Sequence, residues 1–236
     1  MDFETIVVIP TYNERENIGL LIGEIRSVLP NCSVLVVDDN SPDGTSNLVD
    51  EIRSGEDGIH LISRPSKQGL GSAYIAGFNY ALDKKYKYIV QMDADHSHNP
   101  EYIPRLIDVV SDADLVLGSR YIPGGRVEDW PRSRKFLSRF GCLYSRLILS
   151  VPYKDLTGGF KLWKRETLQA LSFDNIRSTG YSFQIEMTYR AHCAGFKIVE
   201  IPITFTDRNL GKSKMTKNII IEAVYRTIQL RMRTVN

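Results

Sequence analysis

The chain has 236 residues, 42% of them apolar and 25% charged, the composition of a soluble globular protein large enough to bury a sizeable core. Its net charge of +2 gives no global basic field for nucleic acid, and no apolar run approaches the roughly 18–20 residues of a membrane-spanning helix. Cysteines 32, 142 and 193 lack metal-ligand spacing and fit reduced thiols in a cytosolic protein; with a strand starting almost at once, no secretory leader is expected.

The predicted elements alternate. Residues 5–10 read as a buried strand and 14–29 as a helix with Ile18, Leu21, Ile22, Ile25 and Leu29 on one stripe. A second strand, 33–37, is stopped by Asp38-Asp39-Asn40-Ser41-Pro42. There follow a helix at 45–52, a short strand at 59–62, a helix at 70–82, a strand at 88–92, a helix at 100–110 and a strand at 114–118. Apolar runs alternating with amphipathic helices predict parallel βαβ units in an open, doubly wound sheet. Ligands of such sheets bind in the crevice at the carboxyl ends of the strands.

The second half differs. Residues 120–132 are rich in Gly and Pro and read as a loop. Residues 133–150 carry Phe136, Leu137, Phe140, Leu143, Tyr144, Leu147 and Ile148 at helical spacing, with Arg134, Lys135, Arg139 and Arg146 on the other face. That stripe suits either the core or a membrane headgroup region, with Trp130 just ahead. Residues 157–163 read as extended, 182–194 as a helix and 197–205 as one last strand. A basic loop at 207–215 precedes a helix at about 216–232, where Ile219, Ile220, Ala223, Val224, Ile228 and Leu230 stand beside Arg226, Arg231 and Arg233. With no repeat or linker, the reading is one domain: a catalytic body at 1–215, and 216–236 as its amphipathic C-terminal helix.

Polar residues gather at the strand ends: Pro10-Thr11-Tyr12-Asn13-Glu14, then Asp38-Asp39, Asp93-Ala94-Asp95 and Gly118-Ser119-Arg120. Asn13 and Ser41 read as helix caps. Two carboxylates crowded after a buried strand repel each other unless a cation joins them. Hard divalent ions take such oxygens together with substrate phosphates. Standing alone, an Asp-x-Asp is more often a surface turn; its company of aromatic and arginine side chains at one sheet edge points to a site. No G-x-x-x-x-G-K-[ST] loop is present, and Gly69-Leu70-Gly71-Ser72-Ala73-Tyr74 is an incomplete dinucleotide fingerprint whose glycines suit close packing. Kinase, ATPase and NAD-enzyme readings are therefore weak. His96 and His98 read as solvent-facing turn residues, and Cys142 and Cys193 as packed helix residues.

Six segments resemble one family. They are Pro10-Thr-Tyr-Asn-Glu-Arg-Glu-Asn17, Val37-Asp-Asp-Asn-Ser-Pro-Asp-Gly44, Met92-Asp-Ala-Asp-His-Ser-His98, Gly118-Ser-Arg-Tyr121, Asp155-Leu-Thr-Gly-Gly-Phe160, and Pro202 to Lys214 with its Gly211-Lys-Ser-Lys. Together they resemble the dolichol- or polyprenol-phosphate mannose synthases, inverting glycosyltransferases with the GT-A fold, a Rossmann-like, mainly parallel sheet with helices on both faces. The resemblance implies transfer of mannose from GDP-mannose to a dolichol or polyprenol monophosphate, giving a β-linked product. It implies that Pro10, Tyr12, Glu14, Val37 and Asp39 hold the guanosine. Asp93, Ala94 and Asp95 would face the diphosphate, with Asp93, Asp95 and Ser97 around Mg²⁺ or Mn²⁺. Ser97 stands where some members carry a glutamine, and a hydroxyl is a weaker ligand. Arg120, Arg134 and Ser138 would meet the lipid phosphate, and Arg208 and Lys214 would close over the diphosphate. Asp95, Arg120, Arg134, Arg208 and Lys214 are the expected catalytic set.

A lipid monophosphate is already largely ionised at pH 7. No strong general base is needed, which weakens a catalytic reading of Glu186, where hydroxyl-modifying relatives place one. Expected partners are GDP-mannose, polyprenol phosphate and a membrane surface, on the cytosolic face; some members of the resembled family work with a separate membrane subunit. The alternatives are glucosyl transfer from UDP-glucose, a non-catalytic membrane-peripheral scaffold, and a nucleotidyltransferase. The last would usually show a glycine-rich first loop, which Pro10-Thr11-Tyr12-Asn13 lacks.

Overall fold

The computed structural model describes residues 4–174, 176, 178, 180–207 and 217–234. In chain order the elements are β1 (Thr5–Thr11), α1 (Arg15–Val28), β2 (Cys32–Asp38), α2 (Thr45–Gly55), β3 (Ile59–Ser63), α3 (Leu70–Asp83), β4 (Tyr88–Gln91), α4 (Tyr102–Val110) and β5 (Leu115–Ser119). Then come β6 (Arg126–Val127), α5 (Arg132–Leu149), β7 (Lys161–Lys164), α6 (Arg165–Ala170), α7 (Gly180–Cys193), β8 (Ile198–Pro202), β9 (Thr204–Phe205) and α8 (Lys217–Thr234).

β1 and β2 are buried along their whole length, as unbroken apolar runs must be when both faces are covered. Alternate residues serve opposite faces. Ile6 and Val8 pack with Tyr74 and Phe78 of α3 and Phe183 of α7. Val7 and Ile9 pack with Ile18 and Leu21 of α1 and Ile103 and Leu106 of α4. Close approach of α3 to β1 is allowed by Gly77, where an added Cβ would sit 2.3 Å from Val8 Cγ1.

The main sheet has seven strands in the order β3-β2-β1-β4-β7-β5-β8. The chain leaves β1 toward one edge and returns at β4 on its other side, so the switch point lies between β1 and β4. This places Thr11–Asn13 and Asp93 at the mouth of one crevice. The fold is the open, mainly parallel α/β architecture expected, with two departures in strand pairing.

The first is β7. It pairs antiparallel with both β4 and β5, with Lys161 opposite Gln91 on one side and Leu117 on the other. The incoming segment 155–160 therefore crosses the carboxyl ends of β4 and β5, which brings the Asp155-Leu-Thr-Gly-Gly motif into the crevice. The second is the expected strand at 197–205, which breaks at Ile203. Ile203 donates its N–H to Ser119 O at 3.0 Å and accepts from Arg126 N–H at 3.0 Å, so the chain passes from the main sheet to a two-stranded parallel ribbon of β6 and β9. β6 lies inside the stretch read as loop. The six-residue α6 was also unforeseen, being too short for a periodic signal. Asn13 and Ser41 cap nothing: Glu14 and Gly44 hold the N-cap positions of α1 and α2, and Ser41 Oγ instead accepts from Asn13 N–H at 2.9 Å. Cys142 is packed as expected, but Cys193 ends α7 exposed to solvent.

Beneath the crevice lies a buried polar network. Gln91 joins Gln184 at 2.6 Å and accepts from Trp163 Nε1 at 3.1 Å. Lys161 Nζ donates to Gln184 O at 2.8 Å and Thr188 Oγ1 at 2.9 Å, two acceptors that match the two N–H bonds of a neutral amine. Burial pulls the Lys161 pKa from 10.5 down to about 7, only partly opposed by Asp155 and Asp93. The native chain then sheds this proton near pH 7, while the unfolded chain keeps it to 10.5. Between those values the unfolded state binds more protons, so stability rises with pH, by at most about 1.4 kcal/mol per unit from this group. Chemical denaturation at pH 7 and pH 9 is expected to show a rise in the wild type that is smaller in Lys161→Met. Equal rises in the two proteins would mean that Lys161 stays charged in the fold.

Candidate active site

Asp93 and Asp95 stand just past the end of β4. Asp93 Oδ1 accepts from Tyr74 Oη at 2.7 Å, and a Cβ on Gly159 would lie 3.0 Å from Asp93 Oδ2. Glycine at 159 thus leaves a gap beside the carboxylate that any other residue would fill. Burial and the Asp93 charge hold the Tyr74 hydroxyl protonated, well above its ordinary pKa. Asp95 Oδ1 accepts from Ser97 N at 3.2 Å and Ser97 Oγ at 2.5 Å. The Ser97 hydroxyl is therefore turned to Asp95, holding the carboxylate in place.

His98 is not the solvent-facing residue expected. It is buried, stacked on Phe160 at 5.1 Å, and its Nδ1 accepts the Asp93 backbone N–H at 3.3 Å. An N–H can only donate, so Nδ1 is unprotonated and the ring neutral. Burial agrees, depressing the His98 pKa despite the nearby aspartates. His96, in a left-handed conformation, turns away to Glu24 at 3.2 Å. Two hard carboxylates beside an open glycine cradle fit a divalent ion shared with a diphosphate. Among the described residues no third acidic, histidine or cysteine ligand joins them.

On the β1–β2 side, Tyr12 lies half-exposed with Lys67 Nζ 3.8 Å from its ring centroid. Pro10 and Val37 are buried opposite each other in the sheet, supporting the residues that follow them. Glu14 anchors the start of α1, its Oε2 accepting from Asn17 Nδ2 at 2.8 Å. The two aspartates after β2 divide their work. Asp38 is fully buried and binds Thr11, Ser41 and Ser46. Asp39 pairs with Arg64 and accepts from the backbone N–H of Gln68 at 3.1 Å and Gly69 at 3.2 Å. The amides of Gln68 and Gly69, just ahead of α3, thus hold a protein carboxylate, and the glycine at 71 packs against Phe183, as close packing demands. Arg64 was missed in the sequence. It follows β3 directly, so the strand-end rule applied to the third strand would have found it.

The opposite wall is built from arginine and aromatic groups. Arg120 forks onto Asp155, Nε to Oδ2 and Nη2 to Oδ1, both at 2.7 Å, and its backbone N–H adds 2.9 Å to Oδ2. The Arg120 side chain is 4% exposed. Burial opposes both charges, yet each outweighs it for the other, lowering the Asp155 pKa and raising that of Arg120. Tyr121, Trp130 and Phe205 surround this guanidinium. The arginine expected on the lipid phosphate is thus paired with Asp155 inside the wall. Cys142 packs at 3.2 Å from Thr157 Oγ1, its thiol pushed up to about 12 by burial and so inert.

Arg134, in the first turn of α5, stacks over Trp130 at 4.0 Å and donates to Asp207. One turn on, Ser138 Oγ accepts from Tyr121 Oη at 2.7 Å. Thus Asp93, Asp95 and Ser97 cluster at the end of β4, and Arg134 and Ser138 share α5. Arg208 and Lys214 lie outside the described residues. Glu186 is buried and engaged by Arg190 at 2.6 and 2.9 Å, an ion pair within α7.

A switch-point crevice with a paired carboxylate at β4 and a guanidinium wall at β5 defines a class, the GT-A type of glycosyltransferase. Solved structures agree on the fold. A mycobacterial protein superposes with a TM-score of 0.69 at 20% identity, covering 96% of this chain and 74% of the other. Glucosyl-3-phosphoglycerate synthase from Mycobacterium tuberculosis, solved with Mn²⁺, UDP and glucosyl-3-phosphoglycerate, gives 0.67 at 20% identity over 96% and 79%. Residues 6–172 match the model of the family described as glycosyl transferase family 2, and the chain belongs to that family. Among curated relatives, undecaprenyl-phosphate mannosyltransferase of Micrococcus luteus is 48% identical over 93% of this chain and 90% of its own. Polyprenol monophosphomannose synthase of Mycolicibacterium smegmatis is 48% identical over 97% and 87%.

Proposed function

We propose that this enzyme transfers mannose from GDP-mannose to a polyprenyl monophosphate, with inversion at the anomeric carbon. The observation that carries the reading is that Trp130, stacked under Arg134, and His98, bonded to Asp93, both pack on Phe205, which brings the Arg134 wall close to the Asp93–Asp95 corner, beside a helix whose outer face is apolar. The names of the two mannosyl-transferring relatives supply the sugar and the lipid class.

Asp93 and Asp95 would hold Mg²⁺ or Mn²⁺, which as a Lewis acid would stabilise the charge growing on the leaving diphosphate. Tyr12 offers a stacking face for the base, with Lys67 above it, and the Asp39–Arg64 pair offers polar edges. Arg134 orients the acceptor phosphate by charge and fork geometry. Arg120 braces that wall through Asp155. The acceptor arrives ionised, so no residue need remove a proton, which agrees with Glu186 being tied up by Arg190.

The lipid tail needs a path, and α5 supplies one. Its inward residues are Cys142, Ser145 and Leu149, while Phe136 is 73% and Leu147 68% exposed, with Phe140 and Leu143 between them. The helix is turned inside out relative to a core helix. α8 lies beside it, Tyr144 Oη donating to Val224 O at 3.2 Å, and presents Tyr225, Ile228 and Met232 outward. Exposed apolar surface rimmed by Arg132, Lys135 and Arg139 suits the headgroup region of an anionic bilayer. Among the described residues no helix is long and apolar enough to cross a membrane.

The reading is tested by product analysis with GDP-mannose and a short polyprenyl phosphate, with and without Mg²⁺. An acid-labile mannosyl lipid of β configuration is expected; transfer from UDP-glucose alone would overturn the donor assignment. Phe136→Ser with Phe140→Ser is expected to weaken flotation with phosphatidylglycerol vesicles at least about tenfold, since each ring is worth roughly 1.5–3 kcal/mol when buried. Turnover of a detergent-solubilised short-chain acceptor should change much less.

A further inference from the structure

The crevice wall holds two arginines in opposite situations. The Arg120–Asp155 side chains are 4% and 0% exposed and bonded through two guanidinium nitrogens. The Arg134–Asp207 side chains are 20% and 29% exposed, and Nη1 alone serves both carboxylate oxygens, at 2.9 and 3.1 Å. A fork-to-fork pair removed from water is hard to exchange. A partly exposed, single-nitrogen pair is worth about 0–1 kcal/mol and exchanges easily. Arg134 is therefore the guanidinium that can change partners.

Its surroundings hold unused donors. Arg134 Nε and Trp130 Nε1 are both buried without a hydrogen-bond partner among the described residues, and Trp130 is 7% exposed. The first turn of α5, which contains Arg134, begins after Pro131 with no side-chain cap. A carboxylate with two oxygens leaves these donors unmet; a phosphate brings three oxygens and nearly twice the charge. Asp207 is also well placed for an exchange beside the donor. Phe205, two residues earlier, pairs with Val127 and bridges to His98, and Thr206 N–H reaches Ser97 O at 3.4 Å. The position that Asp207 takes on Arg134 thus adjoins the Asp95–Ser97 turn.

We propose that Asp207 is a placeholder for the acceptor phosphate. Its carboxylate and the lipid phosphate are alternative partners of Arg134, and their competition sets both acceptor affinity and product release. The proposal rests on the reading of Arg134 as an acceptor-phosphate residue. The asymmetry follows from charge. The substrate monoester carries close to two negative charges at neutral pH and displaces a carboxylate carrying one. Glycosyl transfer converts the monoester into a phosphodiester with a single charge. The advantage over Asp207 is then gone, and the returning carboxylate helps expel the product. Before the lipid arrives, the same contact holds Arg134 against Trp130 and keeps singly charged anions off it.

The test is steady-state kinetics of the full chain with GDP-mannose, Mg²⁺ and a short polyprenyl phosphate, together with inhibition by the mannosyl phosphodiester product. Asp207→Asn is expected to lower the acceptor KM by up to about fivefold, the equivalent of 1 kcal/mol. It should lower the product Ki by at least as much, while GDP affinity stays the same. Asp207→Glu should restore wild-type values. A residue that merely braced the wall would raise KM when altered, not lower it. Arg134→Gln is the control: it should raise the acceptor KM and abolish the effect of adding Asp207→Asn. If Arg134→Gln leaves the acceptor KM unchanged, the acceptor reading of Arg134 fails. If Arg134→Gln raises KM but Asp207→Asn leaves KM and product Ki unchanged or higher, the placeholder role alone is overturned.

Discussion

Asp95→Asn is expected to fold like the wild type and to lose at least about 100-fold in turnover, since a Lewis acid supplies several kcal/mol of transition-state stabilisation. The asparagine oxygen still accepts from Ser97, so the turn at 95–97 is kept and only the charge is lost. Asp93→Asn is expected to behave alike, retaining the Tyr74 contact. Tyr74→Phe removes the group that orients Asp93 and should cost about tenfold, in the range of partners that hold ligands in place. Binding of Mn²⁺ in the presence of GDP, followed by calorimetry, should weaken in the same order. Undiminished turnover in Asp95→Asn, or in excess EDTA, would remove the metal from the mechanism.

The parallel half of the fold was legible because its signals are local. Val7 to Ile9 and Val34 to Val37 are unbroken β-branched or aliphatic runs, and the helix between them shows one clean stripe. The carboxylate corner was legible for the same reason: Asp93 and Asp95 directly follow a strand. What stayed hidden depends on contacts distant in sequence. Nothing in Lys161 to Lys164 says that this strand inserts antiparallel between β4 and β5, and without that insertion Gly159 has no visible reason to adjoin Asp93. Arg120 stood at a strand end and was read by position, whereas its buried pairing comes from Asp155, 35 residues on. The stripe on α5 shows the limit of periodicity. Phe136, Phe140, Leu143 and Leu147 share a face by spacing, but only the packing of Cys142 and Ser145 shows that this face points outward.

Disrupting Arg120–Asp155 should produce the largest stability effect in the molecule. Arg120→Met or Asp155→Leu alone strands a charge that is almost wholly out of water, a change worth about 3–5 kcal/mol. Against a total of roughly 5–15 kcal/mol, such a loss leaves a marginal fold. The damage should spread to function even before unfolding. Asp155 also receives the Arg120 backbone N–H, and Arg120 lies against Tyr121, Trp130 and Phe205, which shape the wall around Arg134. The double variant Arg120→Met, Asp155→Leu removes both charges together and should recover much of the stability lost by either single variant. It should not recover turnover, because the aromatic wall loses its centre. The pH dependence has a definite sign. Asp155 titrates below its ordinary 3.8 in the folded chain, so its contribution is complete above that value and is lost as the pH falls through the depressed folded pKa. Acid denaturation should therefore begin at higher pH in Arg120→Met than in the wild type. Denaturant titrations of the four proteins at neutral and acid pH check both claims. Single variants losing less than about 1 kcal/mol would show that the buried pair does not hold this wall.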